Sequence, residues 1–276
     1  MLNFNKFSVT VELSSIAGND VSEVIEQAKL MRADVFNIPD GILGRLTIDP
    51  IVLAARVREE TGKPVIAHLT CRDSTKLGLA SRLLGATNLK VDGVLALTGD
   101  AGTKNIFEIR APGFCKLIRD LNTGSYDSKE LKSPTNLAIG VAVNPNVEGQ
   151  IDYLAQKIAF GAQFVQTQPI FDLEIAEKFF DNLKSAEIKI PVLFGVMPLK
   201  SVKVAEYFNE KVVGITVPQK TIDRLRDDKN AGVQISIELL EKLKDRLAGV
   251  HVMPLGVVDA ANKIYDFLKN RDTSKK

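Results

Sequence analysis

The residues best suited to chemistry follow short apolar segments of the chain. Glu12 lies in one of them, VTVELSS, among mainly apolar neighbours. If its side chain faces the protein interior, burial raises the pKa of the carboxyl group towards the range of a general acid. If it faces a helix instead, it pairs with a basic residue. The residues alone leave both alternatives open.

The segment HLTCRD combines several polar side chains at the end of another apolar run. His68 and Cys71 could form a nucleophile pair, but residues three apart on an extended chain point to opposite faces. We therefore interpret Cys71 as a small buried side chain. His68 is interpreted as a hydrogen-bond donor to a ligand. No partners complete a metal site around it, so no metal is expected.

Three further apolar segments end in residues that could meet a ligand. ALTGD contains Gly99, which permits close backbone approach, and Asp100, which would then face the same ligand. VAVNPN ends its apolar part at Val143 and Asn144. TQPIFD contains Gln168, whose uncharged amide both donates and accepts hydrogen bonds. These segments are candidates for the walls of one site.

Lysines offer two other kinds of chemistry. Lys157 lies in an amphipathic segment, where it either stays solvated or reaches an anionic cofactor. A Schiff base would need a desolvated lysine, and the candidates are Lys104, in a polar loop, and Lys200, beyond a proline. A class I aldolase is therefore poorly supported.

Short apolar segments and amphipathic segments alternate along the whole chain. Continuous runs of Val, Ile, Leu and Ala are typical of parallel strands covered on both faces. The predicted strands are Phe7–Leu13, Val35–Pro39, Pro64–Thr70, Gly93–Thr98, Leu137–Val143, Gln163–Gln168, Pro191–Val196, Gly214–Val217 and Gly249–Met253. The amphipathic segments between them, such as QIDYLAQKIAFGA, are predicted helices. Asp20 or Ser22, Asp49 and Asp172 are the predicted N-caps, and Gly62 is a predicted helix end.

Repeated β-then-α units predict an α/β fold with a parallel sheet, either doubly wound or closed. The unit recurs about eight times over 276 residues, near the ~250 typical of a barrel. No G-x-G-x-x-G follows an early strand, which disfavours a dinucleotide-binding domain. We predict a single (β/α)8 TIM barrel over residues 1–276, with its active site at the carboxyl ends of the strands. The charged segment Gln219–Gly232 predicts an added, solvated helical hairpin before the helix Val233–Leu247.

The composition excludes several classes of protein. With 45% hydrophobic and 25% charged residues and a mean hydropathy of +0.03, the chain is neither disordered nor fibrous. A net charge of +2 does not indicate a nucleic acid or an anionic membrane as partner. Two cysteines and two histidines exclude a disulfide framework and a His-rich metal site. No signal core or membrane span is predicted, so we expect a cytoplasmic location.

Taken together, the motifs identify a resemblance to a known family. NIPDG, HLTCRD, LALTGD, LNTG, GVAVNPN, TQPIFD and PVLFGVMPL resemble, in order and spacing, the methylenetetrahydrofolate reductases, which are flavoprotein barrels. The resemblance runs from Val9 to Gly256 and is strongest to the reductase half of bifunctional homocysteine methyltransferase–reductases. It implies reduction of 5,10-methylenetetrahydrofolate to 5-methyltetrahydrofolate by hydride transfer from reduced flavin.

The resemblance also implies roles for individual residues. Glu12 would be the acid that protonates folate N10, and Asp100 the catalytic acidic residue beside the flavin. Gln168 would hold the pterin, and Phe208 would pack on the folate or nicotinamide. The implied flavin contacts are Pro39, Asp40, His68, Thr98, Gly99, Asp100, Val143, Asn144 and Lys157.

Some positions depart from the pattern of the single-domain enzymes. Thr98 replaces an arginine, Val143 replaces a tyrosine, and Gly256 stands where an arginine grips the folate tail. These departures leave open whether the cofactor is FAD or FMN and how the folate tail is held. They do not affect the acid, the aspartate or the amide.

Several alternatives remain for the partners. The electron donor would be NADH, NADPH or an iron–sulfur partner subunit, since Cys71 and Cys115 cannot hold a four-thiolate cluster. A flavin-free reductase and a barrel lyase or aldolase are the rival enzymes. The resemblance further implies a homo-oligomer.

Overall fold

A computed structural model describes residues 2, 4–41, 44–99, 106–228 and 230–273 of the chain. Its strands are β1 (Ser8–Glu12), β2 (Val35–Ile38), β3 (Val65–Thr70), β4 (Gly93–Leu97), β5 (Ser125–Tyr126), β6 (Lys129–Glu130), β7 (Ala138–Val143), β8 (Phe164–Thr167), β9 (Val192–Val196) and β10 (Gly249–Val252). Its helices are α1 (Ser22–Leu30), α2 (Pro50–Thr61), α3 (Lys76–Asn88), α4 (Ala111–Asn122), α5 (Gln150–Ala159), α6 (Leu173–Ser185), α7 (Val202–Lys211), α8 (Gln219–Asp227), α9 (Ala231–Leu243) and α10 (Val258–Thr273).

The strands form a closed parallel barrel in the order β1-β10-β9-β8-β7-β4-β3-β2. Strands β1 and β10 close it, with Thr10 opposite His251 and Val11 opposite Val252. The short strands β5 and β6 pair with each other as a separate hairpin. The predicted (β/α)8 barrel is confirmed. None of the described helices is long and apolar enough to cross a membrane.

The predicted strand Gly214–Val217 is wrong. This segment forms no ladder, because its backbone is bound to the preceding helix α7 instead. The Asn209 side chain accepts from Val217 N at 2.7 Å and donates to Val217 O at 3.0 Å, and Ile215 N donates to Val212 O. The segment is therefore the loop that leads from α7 to α8.

The helix ends follow the predicted signals with one exception. Asp49 accepts from Ile51 N at 2.8 Å, Asp172 accepts from Glu174 N at 2.9 Å, and Gly62 ends α2 in the left-handed conformation. Helix α1 begins after Val21, which offers no side-chain cap, although Asp20 accepts from Ser22 N.

The interior of the barrel has an apolar floor and a polar upper part. Side chains alternate along each strand, so Val9 and Val11 face the helices while Thr10 and Glu12 face the barrel axis. The floor contains Phe4 and Phe164, whose ring centroids lie 4.7 Å apart. Gly140 has no side chain because the ring of Phe164 occupies the space that a Cβ would need.

Helices α8 and α9 form the predicted addition before β10, but one face of them is buried. A second apolar cluster joins them to the loops that follow β8, β9 and β10; it contains Phe171, Met197, Leu199, Ile215, Val217, Ile222, Leu225, Ala231 and Met253. The helical segment therefore also packs on the end of the barrel where the carboxyl termini of the strands lie.

Candidate active site

Five polar side chains fill the barrel interior between the apolar floor and the strand ends. Each is at most 5% exposed, and they are Thr10, Asn37, His68, Gln166 and His251. Glu12 lies next to them at the end of β1, with its side chain 19% exposed. Its inward orientation resolves the alternative that the sequence left open.

Glu12 lies between the two imidazole rings. Its Oε2 is 3.6 Å from His251 Nε2 and 3.9 Å from His68 Nδ1. Behind His251, the Nδ1 atom and the Thr10 hydroxyl lie 2.9 Å apart. Thr10, His251 and Glu12 therefore form a continuous polar chain from inside the barrel to its mouth.

The pKa values of Glu12 and His68 are both displaced from their ordinary values. Burial raises the pKa of Glu12, but the hydrogen bond from His251 and the attraction to the two imidazoles, when these are charged, together outweigh it, so the net direction is downward. The expectation that burial would raise this pKa is therefore wrong. Burial lowers the pKa of His68 to about 4, so this ring is neutral at pH 7.

Two amide side chains inside the barrel hold His68 in place. Asn37 Oδ1 lies 3.1 Å from His68 Nε2 and accepts from Gln166 Nε2 at 2.9 Å. Sequence reasoning missed Thr10, Asn37, Gln166 and His251. Strand periodicity could have found two of them, because Thr10 and Gln166 stand two residues before Glu12 and Gln168 and so share a face.

The loops after β2, β3 and β4 are locked together at the barrel mouth. Asp40 Oδ2 accepts from both the backbone N and the hydroxyl of Thr70, each at 2.9 Å. Gly99 has φ +94°, and a Cβ there would lie 2.9 Å from Arg72 Cβ. Gly99 therefore packs against the end of β3 and the loop after it, where a larger side chain would not fit. Pro39, beside Asp40, is buried.

Among the other implied flavin contacts, Thr98, Val143 and Asn144 have structural partners. The Thr98 hydroxyl accepts from Ala111 N at 3.2 Å. Val143 faces the helices in the outer core, which leaves only its backbone towards the mouth. Asn144 donates to Gly214 O at 2.8 Å and so joins the loop after β7 to the loop before α8.

The implied folate contacts are open to solvent to different degrees. Gln168, just after β8, is exposed, and its backbone N donates to Val143 O at 2.9 Å. Phe208 on α7 is half-buried against the second apolar cluster. Asp100 lies outside the described residues. The assignments of these residues stay predictions.

Lys157 is a buried cation near the end of β7. It is 5% exposed, donates from Nζ to Ala142 O at 2.7 Å and lies over the ring of Tyr153. Burial lowers its pKa to about 8. Within the described part of the chain it forms no ion pair, so an anionic ligand such as a flavin phosphate would supply the missing counter-charge. The donor set thus fits an anionic cofactor.

The cysteines do not form a nucleophile. Cys71 and Cys115 are both free and buried, and burial raises the pKa of each thiol to about 12. Both remain protonated at neutral pH, which agrees with the interpretation of Cys71 as a packing residue.

The comparison with protein families decides the family. Residues 7–269 match the model of the methylenetetrahydrofolate reductases. The chain belongs to the methylenetetrahydrofolate reductase family. It is similar to methylenetetrahydrofolate reductase 2 of Saccharomyces cerevisiae, with 25% identity over 84% of this chain and 40% of the yeast protein. It is also similar to 5,10-methylenetetrahydrofolate reductase of Escherichia coli, with 28% identity over 68% of this chain and 64% of that protein.

The family relatives are longer than the matched region. The alignments span 30–42% of the yeast and nematode proteins, which is less than half of their length. Among solved structures, a protein of Clostridium thermocellum that binds two copies of 5-methyl-5,6,7,8-tetrahydrofolic acid has a TM-score of 0.70 and 17% identity, with 96% of each chain covered. The EDTA monooxygenase of Chelativorans sp. BNC1 has a TM-score of 0.61 and 15% identity over 96% of this chain. These two likenesses show the fold.

Proposed function

We propose that this chain reduces 5,10-methylenetetrahydrofolate to 5-methyltetrahydrofolate with a bound flavin, FAD in preference to FMN. Membership in the reductase family supports the reaction class. The observation that carries the proposal is the Glu12 carboxyl group at the barrel mouth, in contact with His68 and His251. The protein of related fold that binds 5-methyl-5,6,7,8-tetrahydrofolic acid supports a folate as the ligand.

Glu12 is the proposed acid. Opening of the five-membered ring breaks the bond between the methylene carbon and N10, and N10 must then gain a proton. A folate over the mouth removes water from the exposed fifth of the Glu12 side chain. This added burial favours the protonated carboxyl group, against the effect of His251. The Thr10–His251 pair supports Glu12 from the interior side.

The remaining residues bind and orient. Gln168 would hold the pterin through its amide, and Phe208 would pack against the folate or the nicotinamide. Lys157 would face the cofactor phosphate, while the Gly99 backbone and His68 would border its ring. A flavin bound there supplies the hydride that the methylene carbon receives. Asp100, outside the described residues, would favour a cationic iminium form of the folate.

The electron donor is proposed to be NADH or NADPH, with an iron–sulfur partner subunit as the alternative source. The same assignment implies a cytoplasmic homo-oligomer. Absorption of the purified protein, followed by bleaching with each nicotinamide, tests the flavin and its donor in one measurement. A colourless protein that still reduces methylenetetrahydrofolate would contradict the flavin and favour direct transfer from nicotinamide.

The substitution Glu12→Gln tests the acid. The amide keeps the shape of the side chain but cannot donate a carboxyl proton, so folate reduction should fall by about 10²–10⁴-fold. Flavin content and flavin reduction by the nicotinamide should be unchanged. Stopped-flow measurement of the two half-reactions separates these effects.

Glu238→Gln is the matched control, since Glu238 forms an exposed ion pair with Arg224 on the helices α8 and α9. It should leave both half-reactions unchanged. Full folate reduction by the Glu12→Gln protein would overturn the assignment of the acid.

A further inference from the structure

Asn37 and Gln166 are buried amides that the proposed reaction does not use. They are 0% and 2% exposed and lie inside the barrel on β2 and β8. Asn37 Nδ2 and Gln166 Oε1 have no hydrogen-bond partner in the described part of the chain. A buried polar group without a partner costs about 1–3 kcal/mol. Apolar side chains of the same shape would therefore serve the stability of the barrel at least as well.

The side-chain hydrogen bonds of these two amides share one atom, Asn37 Oδ1. Gln166 Nε2 donates to Asn37 Oδ1 at 2.9 Å, and the same oxygen lies 3.1 Å from His68 Nε2. An amide oxygen only accepts hydrogen bonds, so His68 Nε2 must carry a proton to bind it. Since burial holds the pKa of His68 at about 4, the neutral ring has no second proton at pH 7.

The other nitrogen of the ring faces the proposed acid. With the proton on Nε2, Nδ1 presents a lone pair, and this atom is 3.9 Å from Glu12 Oε2. A lone pair beside a carboxyl group favours its protonated form, which can donate to the nitrogen, and disfavours the carboxylate. His251, from β10 on the other side of Glu12, is the second titratable group that contacts the carboxyl group.

We propose that Asn37, held in place by Gln166, is a positioning residue that fixes His68 in its Nε2-protonated tautomer and directs the Nδ1 lone pair at Glu12. The consequence for catalysis rests on the proposed function; the tautomer itself does not. Asn37 and Gln166 are uncharged, and the hydrogen bond from His68 to Asn37 connects them to the ring that faces Glu12. In this arrangement the Nδ1 lone pair of His68 favours the protonated form of the Glu12 carboxyl group.

The chain contains only two histidines, which makes the tautomer directly measurable. In protein labelled with ¹⁵N-histidine, the ring nitrogens of His68 and His251 give two sets of signals, and His251→Gln assigns them. We expect a protonated, pyrrole-type Nε2 and an unprotonated, pyridine-type Nδ1 for His68 at pH 7. A protonated Nδ1 in the native protein would overturn the proposal.

Three variants test whether Asn37 and Gln166 set the tautomer of His68. Asn37→Leu, Gln166→Met and the double variant replace each amide by an apolar side chain of similar shape, and the double variant removes both unpartnered atoms. We expect the His68 tautomer to become mixed in Asn37→Leu and in the double variant, and to shift in the same direction in Gln166→Met. Asn122→Leu is the control, because it removes an amide that joins α4 to the backbone of Leu137, outside the barrel interior. An unchanged tautomer in the double variant and in Gln166→Met would refute the role of the pair, even if Asn37→Leu alone failed to fold.

The pH profile of the folate half-reaction gives the functional readout. In the double variant the pKa that governs folate reduction should fall by about one unit, which lowers the rate about tenfold above that pKa. Flavin reduction by the nicotinamide should keep its rate and pH profile. A lower rate at every pH without a shifted profile would indicate a purely structural role and contradict the proposal. If the native chain does not reduce folate at all, the proposed function fails, and the nitrogen spectra still decide the role of Asn37.

Discussion

At the scale of single residues, the site contains a carboxyl group and a lysine whose pKa values are both lowered. The lower pKa favours the charged form of Glu12 and disfavours the charged form of Lys157. Glu12 accepts a hydrogen bond from His251, which helps to favour the carboxylate despite burial. Lys157 contacts the carbonyl of Ala142 and the face of Tyr153, and burial lowers its pKa to about 8. Neighbouring side chains thus favour the charged form of Glu12, whereas the counter-charge of Lys157 is proposed to come from an anionic ligand.

Lys157→Met should therefore stabilise the ligand-free protein and weaken flavin binding. Folding lowers the lysine pKa from 10.5 to about 8, and between these values the unfolded chain binds the proton while the folded chain does not. The free energy of unfolding should thus rise with pH from about 8 to 10.5 in the native protein. At pH 7 the burial costs up to about 3 kcal/mol, since one pKa unit is about 1.4 kcal/mol.

Urea unfolding at pH 7 and pH 10, with flavin titration at pH 7, measures both effects. In the Lys157→Met protein the rise of stability above pH 8 should be absent, and flavin affinity should be lower. Lys178→Met, an exposed lysine on α6, is the control and should change neither. Unchanged flavin affinity in Lys157→Met would contradict the anionic contact.

At the scale of the elements, the added helix α9 makes a close backbone contact with the barrel in addition to the second apolar cluster. A Cβ on Gly232, in the first turn of α9, would overlap the backbone carbonyl of Leu199 in the loop after β9. Gly85, in the last turn of α3, has nothing within 4 Å of the point where a Cβ would lie. Two helical glycines thus have opposite surroundings.

Substitution of these two glycines by alanine should therefore change the free energy of unfolding in opposite directions. Gly85→Ala should stabilise the protein by about 0.5–1 kcal/mol, because alanine is the better helix former. Gly232→Ala should destabilise it by about 1–3 kcal/mol, since α9 must move away from Leu199. Thermal unfolding of the two variants side by side checks both. Equal changes in Tm for the two variants would mean that α9 does not pack against the loop after β9.

The elements were predictable where one local pattern decided the outcome. The barrel strands appear within two residues of the predicted bounds, because strands covered on both faces need continuous apolar runs. The segment Gly214–Val217 has the same composition, but the side chain of Asn209 binds its backbone. That contact links residues from a helix and a loop and leaves no local signal.

The candidate site was predictable in a different way. Glu12 and His68 stood out as polar residues in apolar runs, but the sequence left the orientation of the Glu12 side chain open. Asn37 and His251 also interrupt apolar runs, but their role depends on partners from other strands, which only closure of the barrel brings together. The direction of the Glu12 pKa has the same origin, since both imidazoles come from distant parts of the sequence.

At the scale of the whole molecule, closure of the barrel depends on a junction between the first and last elements. Asp34, just before β2, accepts from Val9 N of β1 at 2.8 Å. The same carboxylate accepts from the Tyr265 hydroxyl at 3.2 Å and from Lys269 Nζ at 2.7 Å, both on α10. One half-buried side chain thus joins the two ends of the chain where β1 completes the barrel.

Asp34→Asn should loosen this junction. The amide loses the ion pair with Lys269 and can satisfy fewer of the three donors, so we expect a loss of about 1–3 kcal/mol in the free energy of unfolding. The slope of that free energy against urea should not change, because a closed barrel cannot release one strand without exposing the whole polar interior. Asp259→Asn, an exposed residue paired with Lys263 within α10, is the control and should cost less than about 0.5 kcal/mol. A lower slope in the Asp34→Asn protein would show instead that α10 and β1 separate before the rest of the barrel unfolds.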